Sequence, residues 1–438
     1  MFIYFLQNEN NSLRKLYKKI SKIKSIVIIK QIIIHSIFYI LKKRMQKLKL
    51  ISIEKFISAW NINKLQLINS TCEIVPNTHF YKQETFLTLP TNDQYNSPES
   101  TIYVINNAII MARTDFLIYK KQVIYSSNFD PSEHISTVEQ LKIGTVIPSK
   151  KVIKLKVVPT LTLDYGISLL GEGSGNYAHF LFETIPKLLL IDSKDLYRDF
   201  PLIIDGWIGK HLIDILIYFN HNEREIIKLR EWEQCVVKKL GYITSPCQGP
   251  QDFRSNYKPN LFEKPRIPQN SYKFNSDALR SIHNYVIKKN GLLNVKKDRF
   301  YLIRGKKIVK GKQYNQRFIW NEDEIIIFLK KYDFYAVDTA KLSFKSQVEL
   351  FSRAEIVIAP FGAALANLIF APKNCSVIGL VAYYKNVDYS YYVRLMAALD
   401  HDLKIVLGSR VIELNTHPMH SKYTISINTL ETALNDII

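Results

Sequence analysis

Cysteine is scarce: the 438 residues hold four, at positions 72, 235, 247 and 375, and no Cys-x-x-Cys. That scatter argues against a disulfide scaffold or a zinc ribbon and fits a reducing cytosol. Acidic residues are short too, 39 against 60 Lys and Arg, for a net charge of +21. Glycine numbers only 15, so a cluster of three within residues 171–175 stands out. No unbroken apolar run reaches the roughly 20 residues that a membrane-spanning helix needs. The best candidate, residues 25–41 (SIVIIKQIIIHSIFYIL), is interrupted by Lys30, Gln31 and His35. It begins late and no small-residue cleavage site follows, so a signal peptide is not expected. There is no His-Glu-x-x-His.

The excess positive charge is concentrated. Residues 1–50 carry twelve Lys and Arg against a single acid, Glu9. This basic appendage has two readings. One is an interfacial helix at residues 14–49 resting on anionic lipid; the other is a buried N-terminal element with a solvated basic rim. A nucleic-acid-binding protein rests on net charge alone, with no reading motif, and nucleic acid is not expected as a partner.

What is present is a chain 47% hydrophobic with 26 Tyr and 23 Phe, ample for packed cores, and long enough for more than one domain. Residues 51–75 read as a helix and 76–100 as loop. Residues 101–158 alternate apolar and polar, predicting strands with a hairpin at Lys120–Lys121. HFLFETIPKLLLID predicts a helix and FPLIIDGW a short buried strand. The proline-rich stretch 244–270 reads as a linker. Beyond it, SDALRSIHNYVIKK, NEDEIIIFLKKY, SFKSQVELFSRA and GAALANLIF alternate as helices with the strands RFYLIR, FYAVD, EIVIAP and SVIGL. Ser276 or Asp277 would cap the first of these helices and Asn321 the second. Near-continuous apolar strands alternating with helices predict a parallel sheet covered on both faces, with a ligand crevice at the strands' carboxyl ends.

Four stretches could carry chemistry. Strand EIVIAP delivers Phe361-Gly362-Ala363-Ala364 to a helix N-terminus, where small residues let a phosphate approach backbone N–H groups, or simply let helix and sheet pack closely. His179 and Glu183, four apart, share a helix face. They would form an imidazole–carboxylate base, or a satisfied half-buried histidine. Arg304 ends a strand and suits bidentate contact with a phosphate, ahead of a lysine-rich loop. GEGSG at residues 171–175 lacks the third glycine of a dinucleotide fingerprint, Asn176 standing there, and reads as a flexible loop that closes over substrate.

Together these blocks resemble glycosyltransferase family 61, whose bacterial members are capsular polysaccharide biosynthesis proteins. The resemblance runs from about Thr101 to Leu380. NYAHFLFETIPKLLLID matches at Asn176, His179, Glu183, Pro186 and Leu188. YLIR…QRFIWNEDEI matches at Arg304, Arg317, Asn321 and Glu322. The third block matches at Phe344, Gln347, Leu350, Ala354, Gly362, Ala363, Leu365 and Asn367. Two positions depart: Phe361 stands where the family has His, and Gly379 where it often has Glu. Both fall on the donor side.

The resemblance implies an α/β fold of the GT-B type, two Rossmann-like domains facing a cleft, here with the basic helical appendage. Residues 1–50 would be the appendage, 51–260 the acceptor-side domain, and 261–438 the nucleotide-sugar domain with a C-terminal tail. It implies an inverting transferase, independent of metal, that moves a sugar from a nucleotide-sugar donor, taken here as uridine-linked. The acceptor would be a surface polysaccharide or lipid-linked glycan at the inner membrane face. No other cofactor is expected. His179 or Glu183 would be the base. Arg304, Arg317, Asn321, Glu322, Phe361, Gly362, Ala363, Ala364 and Asn367 would face the donor, and Asn176 and Tyr177 the acceptor. The alternative is a catalytically weak member that serves as a scaffold in a polysaccharide assembly complex.

Overall fold

Alternation along Ser100–Met111 builds a twelve-residue strand, the spine of the first sheet. The computed structural model describes residues 45–82, 85–89, 93–125, 144–147, 152–249, 272–291, 297–304, 308–309, 312–313, 317–384, 389–411 and 421–438. The basic appendage therefore lies outside the described residues as far as residue 44, as does most of the proposed linker; residues 46–50, expected in the appendage and its helix, instead begin strand Gln46–Ser52 of the first sheet, with Leu48 and Leu50 buried.

The fold is mixed α/β, with one sheet of eleven strands and another of eight. In the first, Ser100–Met111 pairs antiparallel with Gln234–Ile243. On one side follow the hairpin of Leu117–Tyr119 and Gln122–Tyr125, turning at Lys120 with φ 51°, and then Gln46–Ser52. On the other side Leu161–Ser168, Leu202–Asp205 and Ile226–Leu229 run parallel to Gln234–Ile243 and to one another. The sheet is half antiparallel, so it is not the Rossmann-like sheet expected of the N-terminal half. Its parallel half matters for the site, because the crossover from Leu161–Ser168 to Leu202–Asp205 carries His179.

The second sheet meets the expectation more closely. Tyr335–Val337, Asp298–Leu302, Ala354–Pro360, Ser376–Ala382 and Asp402–Arg410 lie side by side and parallel. Ile356, Val357, Ile358 and Ala359 are all buried, so the central strand is covered on both faces.

Several expectations are corrected. Residues 76–100 are not a loop: Thr78–Lys82 forms a sixth parallel strand beside Asp402–Arg410, and Thr85–Leu89 returns antiparallel to it. Five residues are too few to show a period, and their partner lies more than 300 residues away, so local pattern does not reveal them. The two sheets consequently do not divide the chain at residue 261. Residues 51–75 are not one helix. Helix Ile53–Trp60 stops at Asn61, which takes the left-handed conformation at φ 47°, and strand Asn63–Ile68 follows. Helix Ser276–Asn290 is capped by Asn275, whose side chain accepts from Ala278 N. The helix after Gly362 is a tight 3-10 helix, Ala363–Phe370, and not an α-helix.

Candidate active site

Asn176 opens the helical segment by accepting from Ala178 N at 3.0 Å. After one α-turn the segment widens into a π-turn at Phe180–Thr184, with Ile185 N donating to Phe180 O, and then continues as α-helix Ile185–Asp192. Pro186 has no N–H to give back to the preceding turn, and a π-turn accommodates that loss. The widened turn sets His179 Nδ1 2.7 Å from Glu183 Oε1. Glu183 Oε1 also accepts from Gly249 N at 3.1 Å. A Cβ on Gly249 would sit 2.9 Å from His179 Cε1 and 3.0 Å from Glu183 Oε1; only glycine lets the backbone lie on the pair. With the carboxylate accepting, Nδ1 carries the proton and Nε2 presents its lone pair.

At the second sheet, strand Asp298–Leu302 leads directly to Arg304. Glu322 Oε1 accepts from Tyr301 OH at 2.9 Å and from Arg304 N at 3.3 Å. Arg304 Nη1 donates to Phe361 O at 2.8 Å, which lays the guanidinium against Gly362. A Cβ there would be 3.3 Å from Nη1. Arg304 and Arg317 line one small cavity with Phe361, Tyr389, Tyr392 and Tyr423. Neither guanidinium has an ion-pair partner among the described residues. Burial, and then Arg317, press the Arg304 pKa below its ordinary value. Two guanidinium groups on one cavity have the chemistry to bind an anion.

The remaining residues expected at the donor divide. Gly362, Ala363 and Ala364 form the corner itself. Phe361 is buried and stacks on Tyr392, with centroids 3.9 Å apart. Glu322 props Arg304 and does not contact the donor side directly. Asn321 is a latch: Nδ2 donates to Ile425 O at 2.8 Å and Oδ1 accepts from Ile425 N at 3.0 Å, and it makes no side-chain cap bond. Asn367 is 1% exposed and turned away from solvent. It accepts from Tyr177 OH and donates to Gln347 Oε1 at 2.9 Å. Tyr177 and Asn367, assigned to opposite substrates, therefore bind each other and tie the His179 helix to the second sheet. Asn176 is a cap. The GEGSG loop is pinned at both ends: Gly171 N and Ser174 Oγ both bind Asp205 Oδ2, at 3.3 and 2.7 Å.

Sequence reasoning missed the aromatic bridge between the two centres. Tyr391 packs on Tyr392 at 4.9 Å, Tyr392 on Phe361, and Phe361 O holds Arg304. The negative charge of Glu183 reaches Tyr391. A Tyr-Tyr pair opening a helix gives no signal beyond core packing. It also missed Lys187, 5% exposed in the middle of an apolar helix. Its signal was a lone lysine in IPKLLLID. One Asp-x-Asp triplet occurs, Asp400-His401-Asp402, but Asp402 starts its strand, so the triplet lies at the opposite end of the sheet from Arg304. No group of three or more His, Cys, Asp or Glu among the described residues is arranged to hold a metal ion.

The His179–Glu183 pair and the Arg304 corner both fall within a segment that matches a known enzyme family, and the protein is a glycosyltransferase. Residues 177–378 match Glycosyltransferase 61, so the chain carries a domain of that family. The match takes in both the His179 helix and the Arg304 corner. No curated protein matches the chain.

Proposed function

We propose that this enzyme transfers a sugar, with inversion and without a metal, from a uridine-linked nucleotide sugar to a glycan acceptor. The observation that carries the reading is the pair Arg304 and Arg317, which line one cavity without an ion-pair partner among the described residues, with Arg304 laid against Gly362. A diphosphate leaving group supplies the missing charge, and the cations stabilise it as the glycosidic bond breaks. His179 is the base, because Glu183 Oε1 is already engaged by His179 Nδ1 and Gly249 N. Glu183 orients the ring and stabilises the imidazolium. The acceptor hydroxyl gives its proton to Nε2 and attacks the anomeric carbon opposite the departing diphosphate.

The acceptor is a capsular or lipid-linked glycan of the cell envelope, and the basic segment at residues 14–44 keeps the enzyme on the cytoplasmic membrane face. No helix among the described residues is long and apolar enough to cross a membrane.

One observation favours a second reading, a weak or inactive member that acts as a scaffold. The cavity between Arg304 and Tyr392 has a volume of about 50 Å³, against several hundred for an ordinary ligand pocket. Calorimetric titration with nucleoside diphosphates and their sugars, no metal added, decides between them. Micromolar binding of one nucleotide, lost in Arg304→Ala, supports the transferase reading. Absence of binding by every nucleotide would move the scaffold reading to first place.

A further inference from the structure

We propose that Lys187, Asp115 and Glu172 form a polar subsite beside the His179–Glu183 pair that binds the hydroxyl groups of the acceptor sugar. The inference rests on the reading that His179 deprotonates an acceptor hydroxyl, and it says what holds the rest of that sugar.

His179, Glu183 and Lys187 follow at four-residue intervals along one helical segment, so they lie near one face. Lys187 is 5% exposed, between Ile185, Leu188 and Ile191, which are fully buried. Its amine makes no hydrogen bond or ion pair with any described residue; burial lowers its pKa, against the opposing pull of Asp115, Glu183 and Asp205. A buried, unpaired ammonium costs stability, and a methionine of similar volume would not. Its presence calls for a ligand.

Glu172 makes the complementary case. Its Oε1 is buried and has no hydrogen-bond partner. The loop that carries it does not drift: Asp205 ties both ends, and Trp207 lies where a Cβ on Gly175 would be, 2.4 Å from the ring. Burial, then Asp115 and Glu183, push the Glu172 carboxyl well above the ordinary carboxylate range, so it can donate as well as accept. Tyr242 OH donates to the Asp115 carbonyl at 3.0 Å and fixes that turn.

A lysine amine and two buried carboxyl groups, whose pKa values burial raises, together donate and accept and so suit a neutral polyol, whose hydroxyls each donate and accept. A phosphate would meet three acidic side chains. Asp115 and Glu172 also lie outside the residues matched to the family, so the subsite is where this chain sets its own acceptor preference.

The test uses the full chain and a panel of methyl glycosides of hexoses and N-acetylhexosamines, followed by saturation-transfer NMR with and without UDP. At least one glycoside should bind the wild type. Lys187→Met and Glu172→Gln should each weaken it at least tenfold, with UDP affinity unchanged and the melting temperature not lowered. A purely structural lysine predicts the reverse, a lowered melting temperature with glycoside binding intact. Unchanged binding in both variants, or no glycoside bound by the wild type in either condition, overturns the proposal. Should Lys187→Met fail to fold, the proposal is overturned for Lys187, and Glu172→Gln still decides whether the carboxyl takes part. Loss of UDP binding in the wild type would instead sink the donor reading while leaving a Lys187-dependent glycoside site standing.

Discussion

Phe361 and Gly379 occupy one space. A Cβ built on Gly379 would lie 2.0 Å from Phe361 Cε1 and 2.8 Å from Cδ1, and no real side chain tolerates that. The ring stacks on Tyr392 at an interplanar angle of 25° and has little freedom to retreat. The sequence reading counted Phe361 and Gly379 as two separate departures on the donor side. They are one change, in which an aromatic ring takes the volume that a side chain from the neighbouring strand would fill.

This coupling is measurable. Gly379→Ala should cost about 1–3 kcal/mol in the wild type, as overpacking does. In a Phe361→Ala background the same substitution should cost under about 0.5 kcal/mol, a coupling of at least about 0.5 kcal/mol. Urea unfolding of the four proteins gives the cycle. Additive effects would mean that the ring swings aside freely.

The division of labour between His179 and Glu183 predicts a graded loss. His179→Ala should lower kcat by about 10²- to 10⁴-fold, the usual contribution of a positioned base. Glu183→Gln should cost less, since an amide still accepts from Nδ1 but no longer stabilises the imidazolium. Nucleotide affinity, measured by titration, should be unchanged in both. An equal or larger loss in Glu183→Gln would make the carboxylate the base.

The bond between Tyr177 and Asn367 predicts an effect on stability in place of substrate affinity. Tyr177→Phe leaves Asn367 Oδ1 buried without its hydroxyl donor, and should destabilise by about 1–3 kcal/mol. Asn367→Ala should do so as well, because it also strands Gln347 Oε1. Nucleotide titration should be the same for both variants as for the wild type. A fall in nucleotide affinity with unchanged melting would restore Asn367 to the donor site.

How much of this was legible can be argued from single residues. The second sheet was readable because Ile356, Val357, Ile358 and Ala359 form a strand buried on both faces, and such strands announce themselves as continuous apolar runs. His179 and Glu183 were readable because a four-residue spacing is local. Arg304 was readable because it closes a strand. The intramolecular partners of Asn321 and Asn367 were not legible, for the opposite reason. Their partners, Ile425 and Tyr177, are distant in sequence, and an amide side chain looks the same whether it meets a ligand or another segment. Thr78–Lys82 escaped likewise, since its strand exists only by pairing with Asp402–Arg410. Glu172 and Lys187 escaped because burial turns an ordinary surface residue type into an unsatisfied group, and burial is a property of the fold.

His401 gives the pH prediction. It is 5% exposed and its Nε2–H donates to Leu368 O at 2.8 Å, while Nδ1 has no partner. Burial pushes its pKa down from 6.5 to about 4; the Leu368 carbonyl and Asp400 oppose the shift, and His283 adds to it. The folded protein thus keeps the ring neutral where the unfolded chain takes up a proton. Between pH 6.5 and 4 the unfolded state binds more protons, so stability falls as pH falls. The loss by pH 5 should be about 2 kcal/mol, above the range where most carboxylates titrate. His401→Gln can still donate to Leu368 O but cannot titrate, so its stability should stay flatter over that interval. Urea unfolding at pH 7, 6 and 5 makes the comparison. Parallel losses in the two proteins would assign the acid sensitivity to other groups, His283 first, whose pKa burial also lowers.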